Sequence, residues 1–210
     1  IMRYIKRQNS EPEEIPLHDL VAQNLSSNLD DNMTNLNRLL ESCSDAVIKE
    51  FKFSKNPAIR ASILYFDGLV DTNAIEAHIL KPLMLEIEKL SPEFLSIYET
   101  QDMFNSVRER IISTAEIDIV NTFGDVCHQI SSGDTVLLLD GYDQALVAGS
   151  TRFWQGRPIQ TPENEVVILG PKEGFNENIR VNTALLRRRI KSTNFKIESY
   201  VMGRITKTDV

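Results

Sequence analysis

The fold is decided by the stretch Gly133-Asp134-Thr135-Val136-Leu137-Leu138-Leu139-Asp140-Gly141. Residues 135–139 predict a buried strand, because they form a short apolar run that turn residues bound on both sides. Asp140-Gly141 is a hairpin signal, so residues 143–148 are expected to return as the partner strand. The stretch therefore predicts a β-hairpin whose first strand is buried.

Helical and strand patterns alternate on both sides of this hairpin. Before it, the periodicity predicts a helix from Asp30 to Ser42, strands at 46–53 and 60–66, a helix capped by Thr72 or Asn73, helical residues over 86–113, a strand at 115–120 and a helix at 122–131. After it, the pattern predicts a strand at 165–169, a helix at 177–190 and a strand at 195–201.

This order of elements predicts an α/β protein built from two consecutive small α/β subdomains with mixed sheets. We place the first subdomain at residues 30–114 and the second at residues 115–210. Residues 1–29 are expected to be a flexible lead-in, because they are polar, rich in glutamate between prolines, and without periodicity.

Charge is spread unevenly over the 210 residues, whose formal net charge is -7. Residues 165–210 contain nine Lys+Arg and five Asp+Glu, so the C-terminal part is basic. The acidic total argues against a nucleic-acid partner for the whole chain. Cys43 and Cys127 are far apart and are expected to be reduced, packed thiols. The three scattered histidines and these cysteines predict no metal site and no cofactor.

Aspartates near the ends of the first-half strands are candidates for a ligand site, because open α/β sheets often bind ligands at strand ends. Asp67 and Asp71 flank Gly68 in this position, and Trp154 with Arg157 are candidate lining residues for a small-molecule pocket. Aspartate is also a favoured turn residue, and aromatic residues are commonly core. No base or nucleophile accompanies the aspartates, so no catalytic residue is assigned and an enzyme is not expected.

A glycine-punctuated turn precedes the last predicted helix. Gly170, Pro171 and Gly174 form the turn, Asn176 is expected to cap the helix, and Glu177 at its start favours the helix dipole. Free N–H groups at such a site bind phosphate in other proteins, but the spacing matches no phosphate loop. We therefore interpret this segment as a capped turn, with Gly68 serving another turn upstream.

Several of these motifs together resemble the A-subunit family of spore germinant receptors, the GerA type. The resemblance rests on Asp67-Gly68-Leu69-Val70-Asp71, Ile79-Leu80-Lys81-Pro82-Leu83, the 133–141 stretch, Arg157-Pro158-Ile159 and the 170–190 run. It implies a non-enzymatic domain that continues into a membrane region and acts with B and C subunits, in a complex that also contains further A subunits. It also implies that the complex is located in the inner membrane of dormant spores, with this domain on the cytoplasmic core side. The implied role is in nutrient sensing, ion release and germination.

Arginines of the last helix are the candidate interaction residues under this resemblance. Helical spacing places Arg180, Ala184, Arg187 and Lys191 on an exposed stripe, and Ile179, Thr183, Leu186 and Ile190 on a buried one. Arg188, Arg189 and Arg204 extend the basic surface. One interpretation is a solvated face that complements the helix dipole. The other, which we favour, is a contact with anionic lipid headgroups or with acidic residues of a neighbouring subunit.

Two functions remain open on the sequence alone. The first is assembly and signal transmission in a membrane complex that triggers spore germination. The alternative is direct binding of a small nutrient in a cleft between the two subdomains.

Overall fold

A five-stranded antiparallel sheet organises the chain. The computed structural model describes residues 16–53, 58–86, 103–112, 116–152 and 174–210. The strands of this sheet are β1 (Ala46–Phe53), β2 (Ile59–Phe66), β3 (Ile117–Val120), β4 (Thr135–Leu139) and β5 (Ala145–Ala148). Their order across the sheet is β1-β2-β4-β5-β3, and every pairing is antiparallel. A separate hairpin near the C-terminus pairs β6 (Val201–Met202) with β7 (Thr208–Asp209).

Helices cover both faces of the sheet. The described ones are α1 (Leu17–Val21), α2 (Leu29–Leu39), α3 (Thr72–Ile75), α4 (Met103–Ser106), α5 (Phe123–Ser132) and α6 (Ile179–Arg189). The helix that begins with α3 continues with π-helical geometry over Glu76–Leu80 and Pro82–Glu86, and the one that begins with α4 continues in the same way over Val107–Ile111.

Strand β4 lies at the centre, and its five residues are all buried. Because successive side chains of a strand point to opposite faces, β4 contributes to two cores. Val136 and Leu138 pack in the core that contains α1, α2 and α5, whereas Leu137 and Leu139 pack in the core that contains α3 and α4. This double burial confirms the strand predicted from the apolar run.

The α/β class predicted from the sequence is confirmed, and the sheet corrects its finer division. Ile63 of β2 faces Leu137 of β4, so one sheet runs across residue 115, where we had placed the boundary. The strands are antiparallel throughout and the two predicted subdomains share one sheet, whereas we expected a mixed sheet in each. The pairing of β2 with β4 buries apolar residues of both halves of the chain in shared cores. In two separate sheets, part of these apolar residues would stay exposed.

The predicted lead-in also needs correction over residues 17–29. Leu20, Leu25 and Leu29 belong to the core beside α2 and α5, and Leu20 is fully buried. The backbone of this segment is fixed as well, because Leu25 N donates to Asn121 O and Phe123 N donates to Gln23 O. Leu20 and Leu25 are five residues apart, which breaks the helical spacing, so periodicity did not indicate a continuous buried face here.

The strand predicted at 195–201 is largely absent. Ile197 forms a single parallel bridge with Cys43, and regular pairing begins only at Val201. The alternation of apolar and polar residues is present, but among the described residues the segment meets only the residues just before β1, and it pairs with no strand there.

Candidate interaction site at the arginine helix

Helix α6 begins at an asparagine cap two residues later than predicted. Asn178 Oδ1 accepts hydrogen bonds from Arg180 N at 3.0 Å and Val181 N at 3.3 Å. Asn176, the predicted cap, instead accepts from Asn178 N and pairs with the side chain of Asn182. Asparagine is a preferred cap residue, and both positions are asparagine, so residue type alone could not show which of the two caps the helix.

Gly174 and Glu177 lie in the turn that leads to this cap. Glu177 is exposed and lies before the Asn178 cap, so it is outside the first turn of α6, which contains no acidic residue, and its predicted place at the helix start is wrong. Gly170 and Pro171, the other predicted turn residues, lie outside the described residues, as does the predicted strand at 165–169.

The buried face of α6 differs from the predicted one, although Arg180 and Lys191 are exposed as expected. Ala184 and Arg187 are buried, whereas Ile179 and Ile190 are exposed. The reason is the close approach of the helix to the turn that follows β2, where a Cβ built on Gly68 would lie 3.1 Å from Ala184 Cβ. Gly68 has φ +83°, a left-handed conformation that glycine adopts without strain.

Arg187 is the centre of the site and is fully buried. Its Nε donates to Asp45 Oδ2 at 2.7 Å and its Nη2 donates to Asp45 Oδ1 at 2.8 Å, which makes a bidentate ion pair. Nη1 donates to Ser192 O at 3.0 Å and to Phe195 O at 2.6 Å. The guanidinium also lies over the ring of Phe66, 4.1 Å from its centroid. The predicted exposure of Arg187 is therefore wrong, because a buried partner satisfies its charge.

The charge of Arg187 is maintained in this environment. Burial favours the neutral form, but the hydrogen bonds and the negative charge of Asp45 act against it, and the pKa of Arg187 is raised above its ordinary value. The guanidinium therefore serves as a permanent cation that holds a carboxylate and two carbonyl groups in fixed positions.

A second ion pair holds the N-terminal end of the same helix. Arg180 Nη2 donates to Asp67 Oδ1 at the surface. The two pairs are connected, because Asp67 N donates to the backbone oxygen of Asp45 at 2.8 Å. Asp45 and Asp67, which flank the paired strands β1 and β2, therefore fix α6 through one arginine each.

The remaining predicted arginines differ in exposure. Arg189 and Arg204 are exposed, and Arg188 is half-buried. Arg189 lies at the end of α6, and Arg204 lies in the turn between β6 and β7. The basic surface is thus formed without Arg187.

Both predicted ligand aspartates have structural partners. Asp67 pairs with Arg180, and Asp71 Oδ1 accepts from Asn73 N at 2.9 Å as the cap of α3. Asp71 takes the capping role that the sequence suggested for Thr72 or Asn73. Trp154 and Arg157 lie outside the described residues, so the four predicted residues are not brought together within the described part of the chain.

An ion-pair cluster around Arg60 was missed by the sequence analysis. Arg60 Nη1 donates to Asp30 Oδ2 at 2.9 Å, Nη2 lies 3.2 Å from Glu50 Oε2, and Asp140 Oδ2 is 4.0 Å from Nη1. The hydrogen bond from Arg60 lowers the pKa of Asp30. An open cleft of about 460 Å³ lies here, lined by Ser27, Asn28, Asp30, Arg60, Asp140 and Gly141. Because carboxylates outnumber the guanidinium, the cleft is unsuited to an anion.

The cysteines are free and buried, as the sequence predicted. Both lie next to the segment that follows α6, with Cys43 Sγ 3.8 Å from Thr193 O. Burial raises the pKa of the Cys127 thiol to about 11, so the thiol is neutral at physiological pH. Among the described residues, no cluster of histidine, cysteine and carboxylate side chains is arranged to hold a metal ion.

Comparison with known proteins defines the class. The N-terminal domain of the A subunit of the Bacillus megaterium spore germinant receptor GerK3 superposes with a TM-score of 0.60 and 28% identity, covering 89% of this chain and 64% of that one. The fold is thus that of the N-terminal domain of a germinant receptor A subunit. A family model described as Bacillus/Clostridium GerA spore germination protein matches residues 34–210. The chain belongs to this family.

Similar full-length proteins are considerably longer. The chain is 32% identical over 194 residues to the uncharacterized membrane protein YfkQ of Bacillus subtilis, covering 92% of this chain and 35% of that protein. It is 31% identical over 186 residues to spore germination protein B1 of Bacillus subtilis, covering 89% and 36%. The chain therefore spans about a third of the length of these relatives. In the described part of the chain, no helix has the length and apolar character needed to cross a bilayer.

Proposed function

We propose that this domain acts in assembly and signal transmission of a membrane complex that triggers spore germination and ion release. The observation that carries the proposal is the Arg187 site, which joins three parts of the chain at one guanidinium. Asp45 precedes β1, Arg187 belongs to α6, and Ser192 and Phe195 belong to the segment that leads toward the C-terminal hairpin.

This arrangement makes α6 and the segment after it move together with the sheet. Ser44 N donates to Ile197 O at 2.7 Å, and Ser199 N donates to Ser44 Oγ at 3.0 Å. The segment is therefore fixed to the residues just before β1. We expect a displacement of α6 to reach the hairpin through the hydrogen bonds of this segment.

Partners and location follow from the same proposal. The complex contains B and C subunits of the same receptor and further copies of the A subunit, in the spore inner membrane, with this domain facing the core. Support comes from the similarity to the GerK3 domain, which is part of an A subunit, and to YfkQ, which is described as a membrane protein. The exposed basic residues of α6 and the hairpin would contact acidic subunit surfaces or lipid headgroups.

The test is a charge reversal at the exposed end of α6 in the full-length protein. Arg189→Glu with Lys191→Glu should leave the domain folded, because both side chains are exposed, and should abolish the germination response of spores. The matched control is Lys49→Glu with Lys52→Glu on the exposed positions of β1, which makes the same change in charge. A normal response in the α6 variant, at equal protein level, would refute the proposal.

A second candidate function is direct binding of a small nutrient. The open polar cleft beside Arg60, about 460 Å³ in volume, favours it, because this is within the size range of small-molecule sites. The test is the unfolding temperature of the 210-residue chain with amino acids, sugars and nucleosides, since a bound ligand raises it. A shift that is lost in Arg60→Gln would support binding in this cleft, and no shift with any of these compounds would count against it.

A further inference from the structure

The segment that follows α6 contributes little to the apolar cores. We call residues 192–199 the strap. Thr193 is its one buried residue, and its two apolar side chains, those of Phe195 and Ile197, are half-buried. A segment with few buried apolar contacts opens locally at a lower free energy than the core of the same domain does. The attachment of the strap therefore depends mainly on polar contacts.

The strap docks on the turn between α2 and β1. Ser44 N donates to Ile197 O at 2.7 Å, and Ser44 Oγ accepts from Ser199 N at 3.0 Å. The carboxylate of Glu198 accepts a hydrogen bond from the hydroxyl of Ser42. Three successive residues of the strap are thus bound to two residues of one turn, which favours their release together.

Ser42 has a left-handed backbone conformation in this turn. Its φ is +60°, in a region that glycine and asparagine adopt readily and that costs other residues free energy. The contacts with the docked strap offset this cost. If Ser42 relaxed to negative φ, the chain direction would change between Ser42 and Ser44, and their bonds to the strap would be lost. The turn and the strap therefore have two coupled arrangements.

We propose that the strap undocks from this turn as one unit while the sheet stays folded, and that the backbone conformation of Ser42 sets the balance between the docked and undocked forms. In the docked form, Arg187 Nη1 holds Ser192 O and Phe195 O, and the C-terminal hairpin is tied to the sheet. In the undocked form, these carbonyls turn to water and the Arg187–Asp45 pair remains. This balance goes beyond the proposed function, in which the strap is a fixed connection.

Amide hydrogen exchange of the 210-residue chain, followed by NMR, separates local from global opening. The amides of Ser44 and Ser199 are the probes, because both donate across the docked contact. The amide of Leu137 is the reference, because β4 is paired on both sides and opens when the sheet unfolds. We expect the two probes to share one protection factor, at least about a hundredfold below that of Leu137.

Two substitutions at Ser42 should shift the balance in opposite directions. Ser42→Asn favours the left-handed turn and should raise the protection of the probes about threefold. Ser42→Thr disfavours it, because threonine is β-branched, and should lower the protection about threefold. Both variants keep a hydrogen-bond donor for Glu198. The same two substitutions at Lys207, whose φ is +43°, are matched controls beyond the strap and should leave the probes unchanged.

Alkylation of Cys43 gives a second measurement of the same opening. Cys43 Sγ lies 3.8 Å from Thr193 O and 4.0 Å from Phe195 O, so the docked strap covers the thiol. Its alkylation rate, followed by mass spectrometry of the Cys43 peptide, should rise in Ser42→Thr and fall in Ser42→Asn.

Four outcomes would overturn the inference. Probes as protected as Leu137 would mean that the strap opens only with the whole domain, and probes without protection would mean that it does not dock. Different protection at Ser44 and Ser199 would mean that the strap is not one unit. A shift in the same direction in both Ser42 variants would assign the effect to the side chain instead of the backbone. These measurements need no spores, so failure here is distinct from failure of the proposed function.

Discussion

Arg187 and Asp45 are 142 residues apart in the sequence and form a bidentate ion pair in which the arginine side chain is fully buried. Removal of one partner from a buried pair is costly, because the other charge stays buried without compensation. The pair is therefore a point where the first strand and the last helix depend on each other.

Arg187→Ala should lower the free energy of unfolding by about 3–5 kcal/mol, because Asp45 and the carbonyls of Ser192 and Phe195 lose their donor. Asp45→Ala should have an effect of similar size, since it leaves a buried guanidinium without its counter-ion. Chemical denaturation measures both. Arg189→Ala is the control within the same helix and should change stability by less than about 0.5 kcal/mol. Equal effects of the two arginine substitutions would contradict the pairing described here.

Gly68→Ala should destabilise the domain more than Gly141→Ala does. Both glycines have positive φ, +83° and +93°, so either substitution strains the backbone by about 1–2 kcal/mol. Only at Gly68 would the new Cβ meet the helix, 3.1 Å from Ala184 Cβ, whereas a Cβ at Gly141 would meet no side chain or distant backbone atom within 4 Å. The difference in unfolding free energy between the two variants measures the close approach of α6. If the two variants prove equally stable, the helix is not held at this distance.

Asp30 should titrate below the usual carboxyl pKa of about 3.9. Its hydrogen bond from Arg60 favours the ionised form, so the folded state binds fewer protons than the unfolded state does in acid. This contribution to stability is present above the unfolded pKa and is lost as the pH falls through the folded one. A carboxyl NMR titration measures the pKa directly, and Arg60→Gln should return it to the usual value. An unchanged pKa in that variant would show that Arg60 is not the cause.

Cys127 should resist alkylation in the folded state. With its pKa raised to about 11 by burial, the thiolate fraction at pH 8 is about two hundredfold smaller than for a thiol of pKa about 8.5. Mass spectrometry of the Cys127 peptide follows the reaction with iodoacetamide, and the same chain in denaturant is the control. As the pH rises toward 11, the folded state is destabilised, because the unfolded thiol ionises first. Equal rates in the two states would contradict the described burial.

Local patterns predicted most elements of the sheet. The strands β1, β2, β4 and β5 and the helices α2 and α5 lie close to their predicted positions, because each has its own periodicity and turn or cap residues. The sharing of one sheet was not predictable in this way. Ile63 pairs with Leu137, but the strands that contain them are short apolar segments much like the other strands. Their sequences therefore do not indicate which strand pairs with which.

The candidate site was predicted only where exposure follows from residue type. Arg189 and Arg204 are at the surface, as expected for arginines of a basic, polar segment. Arg187 is not, because its burial depends on Asp45, and nothing near either residue in the sequence indicates the other. The buried face of α6 was misassigned for the same reason, because it depends on a residue that is distant in the sequence. The side of the helix that contains Ala184 packs against Gly68.

The antiparallel pairing of β2 with β4 has a consequence for synthesis on the ribosome. The hairpin of β1 and β2 leaves the ribosome with one edge open, and its neighbour β4 is translated some seventy residues later. Until then, Ile63 and Leu64 of β2 are paired with β1 on one side only, and a nascent chain with such an open edge is prone to wrong pairing or to aggregation. Slow translation or a chaperone at this stage would therefore affect the yield of native protein more than any step after β4 has emerged.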